Sequence, residues 1–213
     1  MSSIMHEYDA LLATKNDMKD VLPDEEEPPI EPVEEAQSLQ KATSNKFSLE
    51  ASQVFGFKRD HPQVKSVYQW PTPERAQIWR NSEINIAALE VSSVEWYKQW
   101  GSIFNLRYQL NDGTVTPIAG SQKTPDAFVS LPAERPVHSI RVRVNQVTGS
   151  IECIVFRDAF NNPIDMIEGD FPPESGSWEV FKVKAGQKLI GYEANLDAYN
   201  NIRGLAFITM DAF

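Results

Sequence analysis

The chain has 213 residues, 41% of them hydrophobic and 23% charged, and a net charge of −10. This length and composition predict one sizeable domain with a core, plus an appendage. The sequence has no run of the roughly 18 apolar residues that a membrane-spanning helix needs. Most of the charge belongs to residues 1–40, which hold eleven acids and two bases. The remainder is nearly neutral and lacks the basic face expected of a nucleic-acid-binding protein.

The first residues do not resemble a targeting segment. Residues 1–20 lack a basic region followed by an apolar one, and their acids are atypical of a transit peptide. Cys153 is the single cysteine, which excludes an internal disulfide, and no Asn-x-Ser/Thr acceptor occurs. These features predict a reducing, intracellular compartment, and we expect a cytoplasmic location.

Residues 1–46 are predicted to form an acidic, proline-rich arm that is disordered or extended when free. Like charges and prolines between residues 23 and 35 oppose both helix and sheet and bury little apolar surface. The segment is either a solvated linker or an acidic arm for a basic partner surface. Residues 1–20 are either a short amphipathic helix that docks in a partner groove or a frayed terminus. The docking side chains of that helix are Tyr8, Leu11 and Leu12.

Residues 47–83 form an aromatic-rich connecting segment. It is too apolar for a free linker, yet its periodicity is irregular. Thr72 followed by Pro73 predicts the start of a helix, with Thr72 as the N-cap. The segment wraps either along its own domain or along a partner, and both alternatives bury Trp70 and Trp79.

Residues 84–213 are predicted to be all-β. Short runs of Val, Ile, Phe and Tyr recur between Asn, Asp, Gly and Pro. Apolar residues alternate from Phe104 to Leu110, and the following Asn111-Asp112-Gly113 favours a hairpin turn. Further strands are predicted at residues 140–144, 151–156, 189–192 and 205–210, and no helical pattern separates them.

The predicted strands also repeat. Three of them begin with isoleucine, an aliphatic residue three positions later and an aromatic residue two positions after that, at Ile103, Ile151 and Ile202. Two lead-in segments, residues 129–137 and 181–189, recur 52 residues apart. A period near 50 residues indicates a repeated sheet unit.

In this order of strands, hairpins and lead-in segments, the chain resembles the jacalin-related lectins over roughly residues 84–213. The resemblance implies a β-prism of three Greek-key sheets around a pseudo-threefold axis, although a β-sandwich would share many of the same signals. It also implies a sugar site on the loop before the last strand, where that family carries Gly-x-x-x-Asp.

In this chain the loop departs from the family pattern at both ends. Asp197 replaces the glycine and Asn201 replaces the aspartate. An amide accepts hydrogen bonds more weakly than a carboxylate, and Asp197 lacks the close backbone access that glycine allows. The family's glycine-rich first loop would correspond to residues 79–83, which contain no glycine. The site residues implied by the resemblance are Asp197, Tyr199, Asn200 and Asn201.

No residue pattern indicates catalysis, a metal site or a cofactor. His6, His61 and His138 are far apart in sequence, and none has a second ligand at helix or hairpin spacing. Cys153 in mid-strand is better explained as a buried thiol than as a nucleophile. Residues 158–165 lack the glycine and the closing glutamate of an EF-hand loop, so we interpret them as a hairpin tip. We therefore expect a non-enzymatic protein without a cofactor.

The aromatic cluster at residues 96–100 belongs either to the core of the first sheet or to an exposed docking patch. The leading hypothesis is a non-catalytic structural or protein-interaction component of a larger intracellular assembly, cytoskeletal or other, docked through the arm and the β domain. The alternative is an intracellular carbohydrate-binding lectin that uses the loop before the last strand. The candidate partner-binding residues are Tyr8, Leu11, Leu12, Trp70, Trp79, Trp96 and Trp100.

Overall fold

The computed structural model describes residues 48–57, 66–168 and 176–211, and its secondary structure is mostly β-strand. The strands of this described part form three antiparallel sheets. The expected arm at residues 1–46, with Tyr8, Leu11 and Leu12, lies outside the described residues.

Each sheet is built from four or five strands. Sheet I contains β1 (Leu49–Ala51), β2 (Phe55–Gly56), β3 (Ser66–Trp70), β12 (Gln187–Leu196) and β13 (Ile202–Asp211). Sheet II contains β4 (Val91–Gln99), β5 (Ser102–Leu110), β6 (Ala119–Gly120) and β7 (Ala127–Ser130). Sheet III contains β8 (Ser139–Asn145), β9 (Ile151–Arg157), β10 (Pro163–Glu168) and β11 (Gly176–Lys182). Helix α1 (Pro73–Asn81) and a 3-10 helix (Ile86–Leu89) connect sheet I to sheet II.

The three sheets share one Greek-key order. Sheet II runs β6-β5-β4-β7 and sheet III runs β10-β9-β8-β11, so the fourth strand of each lies beside the first. Sheet I repeats this order as β1-β13-β12-β3, because strands from the beginning of the described chain take its third and fourth places. The repeat predicted at Ile103, Ile151 and Ile202 is confirmed, since these residues open or lie at the start of β5, β9 and β13, which are equivalent strands. The all-β, β-prism prediction is likewise confirmed.

The connecting segment contributes strands to this domain. In sheet I, Leu49 pairs with Met210 and Trp70 pairs with Tyr192. The described residues of the segment therefore pack on their own domain, and the β domain begins near residue 48 rather than at residue 84. The sequence did not reveal these strands because β1, β2 and β3 contain only three, two and five residues.

The core lies between the three sheets, where their inward-facing apolar residues meet. Alternation along β8 buries Ile140, Val142 and Val144. The rings of Tyr108 and Tyr192 pack edge to face, with centroids 4.8 Å apart, and connect sheet II to sheet I. Such tilted aromatic contacts add stability beyond the buried area.

Helix α1 begins as predicted, because the Thr72 side chain accepts a hydrogen bond from the Arg75 backbone amide at 3.3 Å. The helix packs Trp79 edge-on against Trp70, with ring centroids 6.2 Å apart. Both side chains are buried, and so is Trp96 in β4. The prediction that these three tryptophans bind a partner is therefore corrected: the domain's own core accounts for them. Trp100 differs, because it is 77% exposed.

Burial makes Cys153 an inert thiol. It is 2% exposed in β9, and desolvation raises its pKa to about 11. Because the thiolate is the reactive form, we expect native protein at pH 7.5 to resist iodoacetamide for hours. Protein unfolded in urea should react within minutes. Mass spectrometry of the alkylated chain measures both rates, and equal rates would contradict this burial.

Candidate functional site

The loop before the last strand forms a tight turn, which we call the Tyr199 turn (residues 197–201). It joins β12 to β13 and is closed by backbone hydrogen bonds from Asp197 N to Asn201 O and from Asn200 N to Asp197 O, both 3.0 Å. Asn200 has a φ of 60°, a left-handed conformation that asparagine tolerates better than most residues. Tyr199 lies at the tip and is 83% exposed.

The Asp197 carboxylate organises this turn from within. Its Oδ1 accepts hydrogen bonds from the backbone amides of Tyr199 at 2.8 Å and Asn201 at 2.9 Å. Its Oδ2 accepts from the Asn201 side-chain amide at 3.3 Å and from Arg203 Nε at 2.9 Å. Both oxygens are thus occupied by protein donors. Asp197 holds the turn in shape, Tyr199 and Asn200 are exposed, and Asn201 is half-buried beside them.

These hydrogen bonds also set the acidity of Asp197. Burial raises the pKa of this carboxyl, but the donors from Asn201, Tyr199 and Arg203 outweigh it, and the net pKa lies below its ordinary value. The stabilisation is therefore present above the unfolded value of about 3.9 and is lost as the pH falls through the folded pKa. Carbon NMR titration should place the Asp197 midpoint below that of the urea-unfolded chain. A midpoint at or above the unfolded one would show that the carboxylate is not held by these donors.

A second turn, residues 158–162, has the same construction. It joins β9 to β10, and Asp158 Oδ1 accepts from the backbone amides of Phe160 at 3.0 Å and Asn162 at 2.9 Å. Asn161 has a φ of 62°, and Phe160 is 85% exposed. The sequence carries the signal, since Asp-Ala-aromatic-Asn-Asn occurs at residues 158–162 and again at 197–201. The motif therefore specifies a turn shape that presents an aromatic side chain.

The Tyr199 turn is buttressed by neighbours that the sequence analysis did not identify. The Phe57 amide donates to Arg203 O at 2.8 Å, and the Asn195 side chain donates to Phe57 O at 3.0 Å. The Phe57 ring lies so close to Gly149 that a Cβ there would meet it at 2.3 Å. Gly149 also has a φ of 66°, so the position requires glycine on two counts.

The resemblance puts the glycine-rich first loop at residues 79–83. Those residues lie in α1 and directly after it. Strands β2 and β3, rather than these residues, lie beside the Tyr199 turn, because Gly204 pairs with Gly56 and Leu196 pairs with Ser66.

Three hairpin tips lie at the same end of the β domain. The turn at residues 146–150 contacts the start of β13, since a Cβ on Gly56 would lie 2.4 Å from Arg203 O and 2.8 Å from Gly149 O. The turn between β4 and β5 reaches this end as well, because Lys98 donates to Glu168 O at 3.4 Å. Each tip exposes an apolar or aromatic side chain: Trp100 by 77%, Val147 by 93% and Tyr199 by 83%.

Within residues 48–57, 66–168 and 176–211, no group of three or more His, Cys, Asp or Glu side chains is arranged to hold a metal ion. His138, at the start of β8, lies at the end opposite the Tyr199 turn. The same described ranges contain no helix long and apolar enough to cross a membrane.

Solved structures with this fold include several lectins, although no protein-family model matches the sequence and no curated protein matches it either. A prostate-specific WGA16 glycoprotein lectin is 13% identical with a TM-score of 0.51, covering 77% of this chain and all of that chain. The Malaysian banana lectin is 12% identical with a TM-score of 0.52, covering 77% of this chain and 99% of that one. A lamprey immune protein is 10% identical with a TM-score of 0.51, covering 78% of this chain and 45% of that one. At these identities the likeness establishes a jacalin-like β-prism fold.

Proposed function

We propose that this protein is a non-catalytic binding protein that holds a neutral carbohydrate against the Tyr199 turn. The observation that carries the proposal is an exposed tyrosine ring on a turn fixed by four hydrogen bonds to one carboxylate, with two amide side chains beside it. These hydrogen bonds preorganise the turn for a ligand, so little conformational entropy is lost on binding. The lectins of the same fold support the proposal.

The chemistry of the turn suits a sugar. The apolar face of a pyranose ring can stack on Tyr199, while its hydroxyls exchange hydrogen bonds with the amides of Asn200 and Asn201, which both donate and accept. The Asp197 carboxylate is already occupied, so these hydrogen bonds are neutral and contribute about 0.5–1.5 kcal/mol each. We therefore expect weak binding to a single sugar, near a dissociation constant of about 1 mM.

Substitution of Tyr199 tests this proposal. The full chain should bind immobilised mannose- or galactose-terminated oligosaccharides, and Tyr199→Ala should lose that binding because the stacking surface is gone. Phe160→Ala is the matched control, since Phe160 occupies the same position of the twin turn and is equally exposed. It should bind like the parent chain.

Circular dichroism and urea unfolding should show both variants folded. Two results would count against the carbohydrate proposal: no retention of the parent chain on any sugar resin, or equal losses for Tyr199→Ala and Phe160→Ala.

A second candidate function is docking to a protein partner within an intracellular assembly. Trp100 and Val147 favour it, because they expose large apolar side chains at the end that also carries Tyr199. Clustered exposed apolar side chains mark protein-interaction sites more often than chance. In a native pull-down, Trp100→Ser with Val147→Ser should lose a defined partner that Phe128→Ser retains. Comparison with a chain that begins at Phe47 would separate a contribution of residues 1–46.

A further inference from the structure

A groove of about 460 Å³ lies on the outer face of sheet III, at the end of the domain opposite the Tyr199 turn. It is separate from the proposed sugar site, because the turn at residues 158–162 that borders it lies at the far end of β9 from the turn at residues 146–150. We call it the sheet III groove. Its lining comes from β8, β11 and the 158–162 turn and includes His138, Ser139, Arg141, Asp158, Val180 and Lys182.

The side chains that line the groove carry more positive than negative charge. Arg141 and Lys182 have no ion-pair partner among the described residues. The acid of the lining, Asp158, is already occupied: its Oδ2 accepts from Arg135 Nη2 at 2.8 Å, and its Oδ1 accepts from two backbone amides of its own turn. The Asp158 charge is therefore compensated by Arg135, and the two groove cations have no counter-charge among the residues that the structure describes.

The cation at the centre of the groove is held in place. The Arg141 guanidinium lies over the Trp178 ring at 4.8 Å, and Val180 pairs with Arg141 in the adjacent strand. Stacking of this kind orients a guanidinium and reduces the entropy lost when it binds a ligand. The Nε atom of Arg141 is buried and has no hydrogen-bond acceptor in the described part of the chain.

We propose that the sheet III groove binds an anionic ligand, through a carboxylate or phosphate group that Arg141 and Lys182 hold together. A planar guanidinium presents two parallel donors that match the oxygens of either group, and Lys182 adds a point charge from the neighbouring strand. The Ser139 hydroxyl and the His138 ring, at the start of β8, supply further polar contacts along the same wall. The protein thus has an anion-binding site in addition to any carbohydrate site.

Isothermal titration of the full chain with inorganic phosphate and with citrate, at constant ionic strength, tests the proposal. We expect saturable binding of at least one probe. Arg141→Gln should weaken it roughly tenfold or more, because a charge-assisted hydrogen bond is lost. Lys182→Gln should weaken it about threefold, as expected of an exposed charge. The matched control is Arg107→Gln, which removes an arginine on sheet II that is paired with Glu95 and should leave binding unchanged.

The two probes identify the ligand class. Binding of phosphate alone supports a phosphate-bearing ligand, and binding of citrate alone supports a carboxylate. Thermal unfolding of each variant confirms that it is folded. The proposal is overturned if neither probe binds saturably, or if Arg107→Gln weakens binding as much as Arg141→Gln does.

Discussion

Replacing Arg143 by methionine is expected to lower the free energy of unfolding by about 3–5 kcal/mol. The side chains of Arg143 and Glu152 are almost completely buried, 3% and 0% exposed, with Arg143 Nε 3.3 Å from Glu152 Oε2. The Asn145 side chain donates to Glu152 Oε1 at 2.7 Å. Loss of the arginine leaves a carboxylate in the interior without its cation, which is far more costly than loss of the attraction alone.

The double variant Arg143→Met with Glu152→Gln separates these two effects. It removes both charges while glutamine still offers an acceptor to Asn145, so most of the lost stability should return. Urea unfolding measures both variants, and the midpoint should shift without a change in slope. If the double variant is no more stable than Arg143→Met, the unpaired carboxylate does not cause the loss, and our explanation is wrong.

Replacing Phe207 by alanine is expected to cost a similar 3–5 kcal/mol, because it opens a cavity where two sheets meet. Phe207 is 0% exposed in β13. Its ring packs against Phe55 of the same sheet and Phe181 of sheet III, with ring centroids 5.7 Å and 6.3 Å apart. One substitution therefore removes packing on both sides of the junction between sheets I and III.

Phe128→Ala provides the matched control for this cavity. Phe128 also lies in a strand, β7, but is 71% exposed, so its loss should change the unfolding free energy by less than about 1 kcal/mol. Urea or thermal unfolding compares the two. Equal costs would mean that strand propensity, rather than core packing, sets the effect at both positions.

The sequence predicted the repeated strands well because their signal is local. The runs that start at Ile103, Ile151 and Ile202 share one spacing of apolar residues and are followed or preceded by turns that contain Asn, so each strand is specified within a few residues. The β1–β3 strands were missed for the opposite reason. Their partners, β12 and β13, lie more than 100 residues away in sequence, and short strands acquire their structure from such partners.

The candidate site was predicted less completely. The sequence places a loop before the last strand, and the structure has a turn there. The sequence does not reveal that the Asp197 carboxylate organises this turn through four hydrogen bonds. Arg203 and Phe57 were not identified, because their roles depend on contacts across sheet I. The exposure of a tryptophan also depends on the fold. Trp96 and Trp100 are four residues apart, but only Trp100, with a φ of 50°, lies in a turn and is exposed.

Sheet I joins the two ends of the described chain, and this has a consequence during synthesis on the ribosome. Ser48 and Asp211 are hydrogen-bonded although 163 positions separate them. Sheets II and III are each formed from one continuous stretch of sequence, so they can fold while translation continues. The residues of β1, β2 and β3 emerge first but find their partner strands last. Until β12 and β13 have emerged, the nascent protein therefore carries unpaired strands that are open to chaperones and to aggregation.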